Sequence, residues 1–240
     1  MNFSLKKISL YSLLIIPFFG FAQTDIYTIY GQGIQAYYRQ DFDEAIYYLD
    51  QSLDMDSTFM IAHYYKGMAN FKKLRFEEAL ENFNTSLKLD STYKDASLAK
   101  ASVFEKLNKY SLAAEEYEKL IAKNSEYLPL YKKLGLCYYY MRKYDLANFA
   151  YKKYLSSNQT DYDTFFKKGM ANFYANNFNE AIQDFTKVLE INPNYLSAID
   201  MRGLSHQRNN NIINACEDWN NAFDLGYELS KENLDKYCLK

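Results

Sequence analysis

The feature that most constrains this fold is an alanine that recurs every 34 residues, six times in succession. Small, aromatic and aliphatic residues keep the same spacing around it, without a gap. A fixed period of this length is typical of a solenoid in which one supersecondary unit is repeated. The six copies predicted in this way cover residues 26–59, 60–93, 94–127, 128–161, 162–195 and 196–229.

Numbering each repeat from Ile26 places four residue columns at positions 8, 17, 20 and 24. Small residues at positions 8 and 20 are expected to let two antiparallel helices approach closely, and the larger residues at 17 and 24 to fill the space around them. Position 8 holds Gly33, Gly67, Ala101, Gly135, Gly169 and Gly203. Position 17 holds Phe42, Phe76, Tyr110, Tyr144, Phe178 and Ile212. Position 20 holds Ala45, Ala79, Ala113, Ala147, Ala181 and Ala215. Position 24 holds Leu49, Phe83, Tyr117, Tyr151, Phe185 and Trp219.

At these columns the sequence resembles the tetratricopeptide repeat family, whose pattern has small residues at positions 8 and 20, aromatics at 11, 17 and 24, and proline at 32. The chain departs from it at position 32, which is proline only at Pro193, and at position 11, which is aromatic only at Phe104 and Tyr138. The resemblance implies an all-α, right-handed α-solenoid of six helix-turn-helix repeats over residues 23–229. It also implies a concave groove lined by the first helix of each repeat. The polar residues 230–240 are expected to form a C-terminal capping helix, because a terminal repeat otherwise exposes its stacking face.

Residues 1–22 have the layout of a cleavable signal peptide. Lys6 and Lys7 precede an apolar stretch from Ile8 to Phe21, and Gly20-Phe21-Ala22 forms a small-x-small cleavage pattern. The stretch falls short of the roughly 20 apolar residues that a bilayer span needs. We therefore expect a periplasmic or secreted protein with no integral membrane span after cleavage; a retained anchor is the alternative.

Composition and motifs argue against catalysis and against a nucleic-acid partner. The net charge is only −2, so no basic surface for nucleic acid is expected. No glycine-rich phosphate loop, nucleophile elbow or zinc-ligand spacing is present. The two histidines, His63 and His206, fall at positions 4 and 11, which are apolar packing positions. We expect no enzyme activity, no cofactor and no metal, and a protein or peptide as the partner.

The three cysteines have separate interpretations. Cys137 lies in an apolar run and is expected to be a buried free thiol. Cys216 lies in the sixth repeat and Cys238 in the predicted cap, and an exported chain meets an oxidising compartment. If the cap packs on the last helix pair, a Cys216–Cys238 disulfide can form; two unpaired thiols are the alternative.

The resemblance assigns positions 2, 5, 9, 12 and 13 to the groove, and many of them are aromatic. Repeat three contributes none, so the aromatic lining divides into two patches, of which about half is expected to be core. The family's carboxylate-binding Lys at position 5 and Asn at position 9 do not occur together here. Aromatic side chains are frequent anchors at interfaces, and assembly through the convex face or the ends is the alternative. The predicted partner-binding residues are Tyr27, Tyr30, Tyr37, Tyr64, Phe71, Tyr139, Tyr140, Phe166, Phe173 and Tyr174.

Overall fold

The computed structural model describes residues 25–123 and 127–238, and over these residues the chain forms thirteen helices and no strand. The predicted signal peptide lies outside the described residues. The first helices of the repeats are α1 (Ile26–Tyr38), α3 (Met60–Lys72), α5 (Lys94–Lys106), α7 (Pro129–Tyr140), α9 (Tyr162–Tyr174) and α11 (Leu196–Arg208). The second helices are α2 (Phe42–Met55), α4 (Phe76–Leu89), α6 (Tyr110–Lys123), α8 (Tyr144–Leu155), α10 (Phe178–Ile191) and α12 (Ile212–Asp224). The chain closes with α13 (Ser230–Tyr237). The all-α helical repeat solenoid expected from the sequence is confirmed.

A left-handed residue at position 15 ends every first helix. In the first repeat the amide of Gln40 donates to the carbonyl of Tyr37, and that of Asp41 donates to Ala36, which is the hydrogen-bond pattern of a Schellman cap. Asparagine tolerates the left-handed region better than most residues, and it fills three of the six sites. The residues concerned have φ between 56° and 67° and are Gln40, Leu74, Asn108, Arg142, Asn176 and Asn210.

Each helix pair is held together by a large side chain at position 24 that lies directly against position 8. A Cβ atom placed on Gly169 would be 2.7 Å from Cε1 of Phe185, and one on Gly203 would be 2.7 Å from Nε1 of Trp219. These separations are shorter than a van der Waals contact, so the ring at position 24 occupies the space that a side chain at position 8 would need. The position-24 side chains are all fully buried, as are the alanines at position 20.

The repeats stack because each second helix packs both on its own first helix and on the first helix of the next repeat. Small residues at position 3, such as Ala62 and Ala96, are buried where successive repeats meet. In the first repeat the corresponding N-terminal face carries polar, exposed residues, including Thr28 and Gln35.

Helix α13 closes the other end of the solenoid in phase with the repeat, since it starts 34 residues after α11. The hydroxyl of its Ser230 donates to the carboxylate of Asp200 over 2.8 Å. Its Leu234 side chain is buried. The ring of Tyr237 stacks on Trp219, with 5.7 Å between centroids. Asp200 lies at position 5 of the sixth repeat, one of the positions assigned to the groove, but it is buried under the cap.

A disulfide joins α12 to the end of α13. Cys216 and Cys238 are bonded, with their Cα atoms 5.8 Å apart and 22 residues apart in sequence. Cys137 is buried and free, and burial raises the pKa of its thiol to about 12. The bond thus attaches the cap covalently to the helix on which it packs.

Replacing Gly169 with valine is expected to destabilise the protein by about 1–3 kcal/mol, because the buried ring of Phe185 cannot move aside without strain. Gly31 provides the matched control: it also lies within a first helix, but a Cβ there meets nothing within 4 Å. Denaturant unfolding followed by circular dichroism measures both. Equal midpoints for Gly169→Val and Gly31→Val would contradict the steric role of position 8.

Reduction of the disulfide is expected to loosen the cap, because closing a loop of this length typically contributes about 3 kcal/mol. Trp219 is the single tryptophan of the chain and lies under Tyr237, so its emission should shift to longer wavelength when the cap frays. Thiol titration of the denatured, unreduced protein should find one reactive cysteine, and Cys137→Ser should abolish that signal. Three reactive thiols, or an unchanged emission after reduction, would contradict this arrangement.

Candidate interaction surface

The first helices form the inner side of the solenoid. Successive first helices contact one another from α1 to α3, α3 to α5, α7 to α9 and α9 to α11, whereas the second helices of adjacent repeats are farther apart over the described residues. All side chains at positions 9 and 12 are partly exposed, and all those at position 13 are exposed. Positions 9, 12 and 13 therefore combine a place on the inner-side helices with side chains that are open to solvent.

Position 5 is a packing column as well as a groove position. The ring of Tyr30 lies 5.0 Å from that of Phe59 between centroids, and burial raises the pKa of its hydroxyl to about 12. Tyr64 and Phe166 make the same contact with the position-34 rings of their own repeats, at 5.1 Å each. The spacing of the core columns alone does not explain a large side chain at position 5. The structure explains it, because the side chain at position 5 packs at the junction with the next repeat.

Position 12 packs in a similar way against position 17, across the turn between the two helices. The centroid distances in the four repeats with aromatics at both positions lie between 5.7 and 6.0 Å. These contacts leave the position-12 rings half-buried, so they support the turn and have less area open to a ligand than fully exposed rings. The predicted binding residues in this group are Tyr37, Phe71, Tyr139 and Phe173.

The remaining predicted residues are open to solvent. Tyr27 is 72% exposed, Tyr140 54% and Tyr174 48%. Tyr38, which shares position 13 with Tyr140 and Tyr174, is 68% exposed. Of the predicted aromatics, those at positions 2 and 13 are therefore the most exposed.

Two of the exposed rings belong to a connected set of tyrosines, which we call the central tyrosine cluster. Tyr140 stacks on Tyr110 of the preceding repeat at 4.5 Å, and Tyr174 stacks on Tyr144 at 5.6 Å. Tyr139 joins the two stacks through edge contacts with Tyr140 and Tyr144. The cluster thus spans repeats three to five. The sequence predicts Tyr110 and Tyr144, at position 17, only as part of the helix-pair core. Their stacking on the position-13 rings of the next repeat becomes visible only in the structure.

A second set of rings lies in the first two repeats. The hydroxyls of Tyr38 and Tyr65 are 3.5 Å apart, and the ring of Tyr65 contacts both Tyr30 and Tyr37. Tyr65, at position 6, was not among the predicted residues. Over the described residues no ring pair connects this set to the central tyrosine cluster.

Repeat three separates the two sets with a charged contact. It carries Glu105 at position 12, where repeats one, two, four and five carry an aromatic ring. The carboxylate of Glu105 accepts a hydrogen bond from Lys133 over 3.1 Å. The aromatic lining is divided at the repeat where the sequence lacked groove aromatics.

The described residues also bear on metal binding and on membrane crossing. Residues 25–123 and 127–238 contain no group of three or more His, Cys, Asp and Glu side chains placed to hold a metal ion. None of the helices just described has the length and apolar character that crossing a bilayer requires.

Comparison with protein families finds the tetratricopeptide repeat in two family profiles. One matches residues 162–195, and the other matches residues 30–93 and 71–129. Together these matches cover more than half of the chain. Among curated proteins there is no match.

Solved structures show the same fold. YrrB, described as a TPR protein with an unusual peptide-binding site, is 21% identical and has a TM-score of 0.69, with 78% of this chain and 97% of that chain covered. The C-terminal part of a TPR repeat-containing protein from Cytophaga hutchinsonii is 17% identical with a TM-score of 0.70, covering 82% and 78%. MamA from AMB-1 is 23% identical with a TM-score of 0.64, covering 71% and 93%. At these identities the likeness concerns the fold.

Proposed function

The chain belongs to the tetratricopeptide repeat family, whose members act in general as protein–protein interaction modules, and from this premise we propose that it binds a peptide or protein segment in its concave groove. The observation that carries the proposal is the central tyrosine cluster, in which the rings of Tyr140 and Tyr174 are stacked on one side and open on the other. The proposal gives the chain no catalytic role.

The stacked geometry suits an interface. A ring already held by its neighbour loses little conformational freedom when a partner covers its open face, so the contact area is gained at low entropic cost. Tyrosine also brings a hydroxyl that can hydrogen-bond to a peptide backbone. YrrB, which has a similar fold, is described as having a peptide-binding site. This likeness supports a peptide ligand here but does not locate its site.

Export to the periplasm or the cell exterior is the second part of the proposal. It is supported by the signal-like pattern that ends at Ala22 and by a disulfide between Cys216 and Cys238, which an oxidising compartment maintains. The partner would accordingly be a protein or peptide of the cell envelope or the surroundings.

A scaffold function using the convex face has its own supporting observation. Phe149 and Leu146 on α8, and Tyr47 on α2, are large apolar side chains on second helices that are 58%, 45% and 59% exposed. Exposed apolar area of this kind can mark an interaction site. We favour the groove because these second-helix residues form no connected set of rings comparable to the central tyrosine cluster.

Replacing both Tyr140 and Tyr174 with alanine is expected to weaken partner binding by roughly thirtyfold or more, since a truncated hot-spot aromatic typically costs about 2 kcal/mol. The helix content should stay nearly the same, because both rings are about half exposed. The measurement starts with affinity purification from the native envelope fraction and mass spectrometry, which identify the partner of the wild type. Titration of that partner against each variant then gives the affinities.

The control is the double variant Tyr47→Ala with Phe149→Ala, which removes two equally exposed rings from the convex side. Groove binding requires that this control binds as the wild type does. If the control loses binding and the groove variant keeps it, the scaffold function replaces the groove function.

For export, the mature protein is expected to begin at Gln23. N-terminal sequencing of the protein recovered from the periplasm or medium tests this, with Ala22→Arg as the variant that should block cleavage. Recovery of the intact chain, starting at Met1 in the cytosol, would contradict export without affecting the groove proposal.

A further inference from the structure

A cleft of about 450 Å³ opens between repeats four and five, on the groove side of α7. We call it the basic cleft. Its walls include three lysines and an apolar floor: Lys132, Lys133, Lys167, Pro129, Leu136 and Tyr154. None of the described residues that line it is acidic. A ligand in this cleft would therefore meet lysine side chains beside an apolar surface.

The acidic partners of these lysines lie outside the lining and are already engaged. Lys132 donates to Asp161 over 2.6 Å, and that carboxylate also accepts from the hydroxyl of Tyr154 and from the amide of Thr164. Burial alone would raise the pKa of Asp161, but these hydrogen bonds outweigh it and hold the pKa near 2. Asp161 therefore stays ionised, offsets the charge of Lys132 and fixes its ammonium group in place.

The other two lysines differ in whether they form an ion pair. Lys133 donates to Glu105 over 3.1 Å, whereas Lys167 makes no ion pair within 4 Å in the described part of the chain. An ammonium group at a partly enclosed apolar wall is stabilised when an anion joins it. The chain as a whole carries a net charge of −2, so attraction for an acidic ligand would arise at this cleft and not from the overall charge.

We propose that the basic cleft binds an acidic side chain of the partner segment, with an apolar side chain of the same segment on the floor formed by Leu136 and Pro129. This inference rests on the proposed groove function and specifies its ligand. Lysine ammonium groups supply the charge-assisted hydrogen bonds to the carboxylate, and Tyr154 adds ring area to the apolar contact.

The position of the cleft on α7 also fixes a spacing. Lys132, Leu136 and Tyr140 follow one another at intervals of four residues, so they lie along one side of the helix over about 12 Å. An extended peptide advances about 3.3 Å per residue. A segment that places its acidic residue in the basic cleft therefore reaches the central tyrosine cluster about four residues away.

The test uses the protein from Gln23 to Lys240 as bait for a displayed library of random dodecapeptides. We expect the enriched sequences to carry an Asp or Glu next to a large apolar residue, with an aromatic or aliphatic residue about four positions away. Lys167→Glu is the test variant, because Lys167 makes no ion pair with any described residue, and Lys231→Glu on the exposed side of α13 is the matched control. Acidic sequences should disappear from the Lys167→Glu selection and persist in that of the control.

A synthetic copy of one enriched peptide then gives the size of the effect. Replacing its acidic residue by Gln or Asn, or replacing Lys167 by Gln, should each lower the affinity about tenfold, and the two changes together should lower it little further. Circular dichroism checks that both variants remain folded.

The outcomes separate the two proposals. If peptides enrich without an acidic excess and depend on Tyr140 and Tyr174, the groove function stands and the basic cleft is wrong. An acidic excess that survives Lys167→Glu, or additive losses in the titration, also overturns the cleft. If no peptide enriches on the wild-type protein, the result counts against peptide binding in the groove itself.

Discussion

The architecture depends on one contact, repeated six times, between a small residue at position 8 and a large one at position 24. Because the ring of Phe185 lies where a Cβ on Gly169 would have to be, the two helices of that pair can meet only if the first carries no side chain there. The same ring is fully buried, so it contributes the largest apolar area available to the pair. Repeat three keeps the arrangement with Ala101 opposite Tyr117. A methyl group is thus the largest side chain that occurs at position 8.

This contact determines which aromatics are free to bind. The side chain at position 24 fills the space within the helix pair. Side chains at positions 5 and 34 pack at the junction with the next repeat, and those at positions 12 and 17 pack across the turn. Tyr64 and Tyr139 are consequently held in packing pairs although they face the groove. Position 13 lies beyond both sets of contacts at the end of the first helix, so its side chains are exposed in every repeat. The most exposed rings on the first helices therefore include those of a column that neither of these two contacts requires.

The repeats differ most where the proposed binding surface lies. In repeat four the aromatic pair of positions 5 and 34 is replaced by Lys132 and Asp161, and in repeat three the ring at position 12 is replaced by Glu105. The first replacement keeps the contact between positions 5 and 34 as an ion pair. The second pairs Glu105 with Lys133 of the next repeat, and each ion pair has its lysine beside the same cleft. Stability and recognition can thus share these positions, because an ion pair fills the structural role while its cation remains within reach of a ligand.

The sequence alone determined the helix pairs, their number and their phase, because a strict 34-residue period with small residues at two columns admits one way of packing two helices. It also pointed to Cys216 and Cys238 as partners and to first-helix aromatics as the groove lining. Which of those aromatics are open was decided only by the tertiary structure, since Tyr30 and Tyr140 look alike in sequence but one faces Phe59 and the other faces solvent. The basic cleft was equally invisible, because Lys132 and Lys167 lie 35 residues apart and converge only when two repeats stack. Contacts within a repeat follow from local periodicity, whereas contacts between repeats depend on the superhelical geometry that stacking sets.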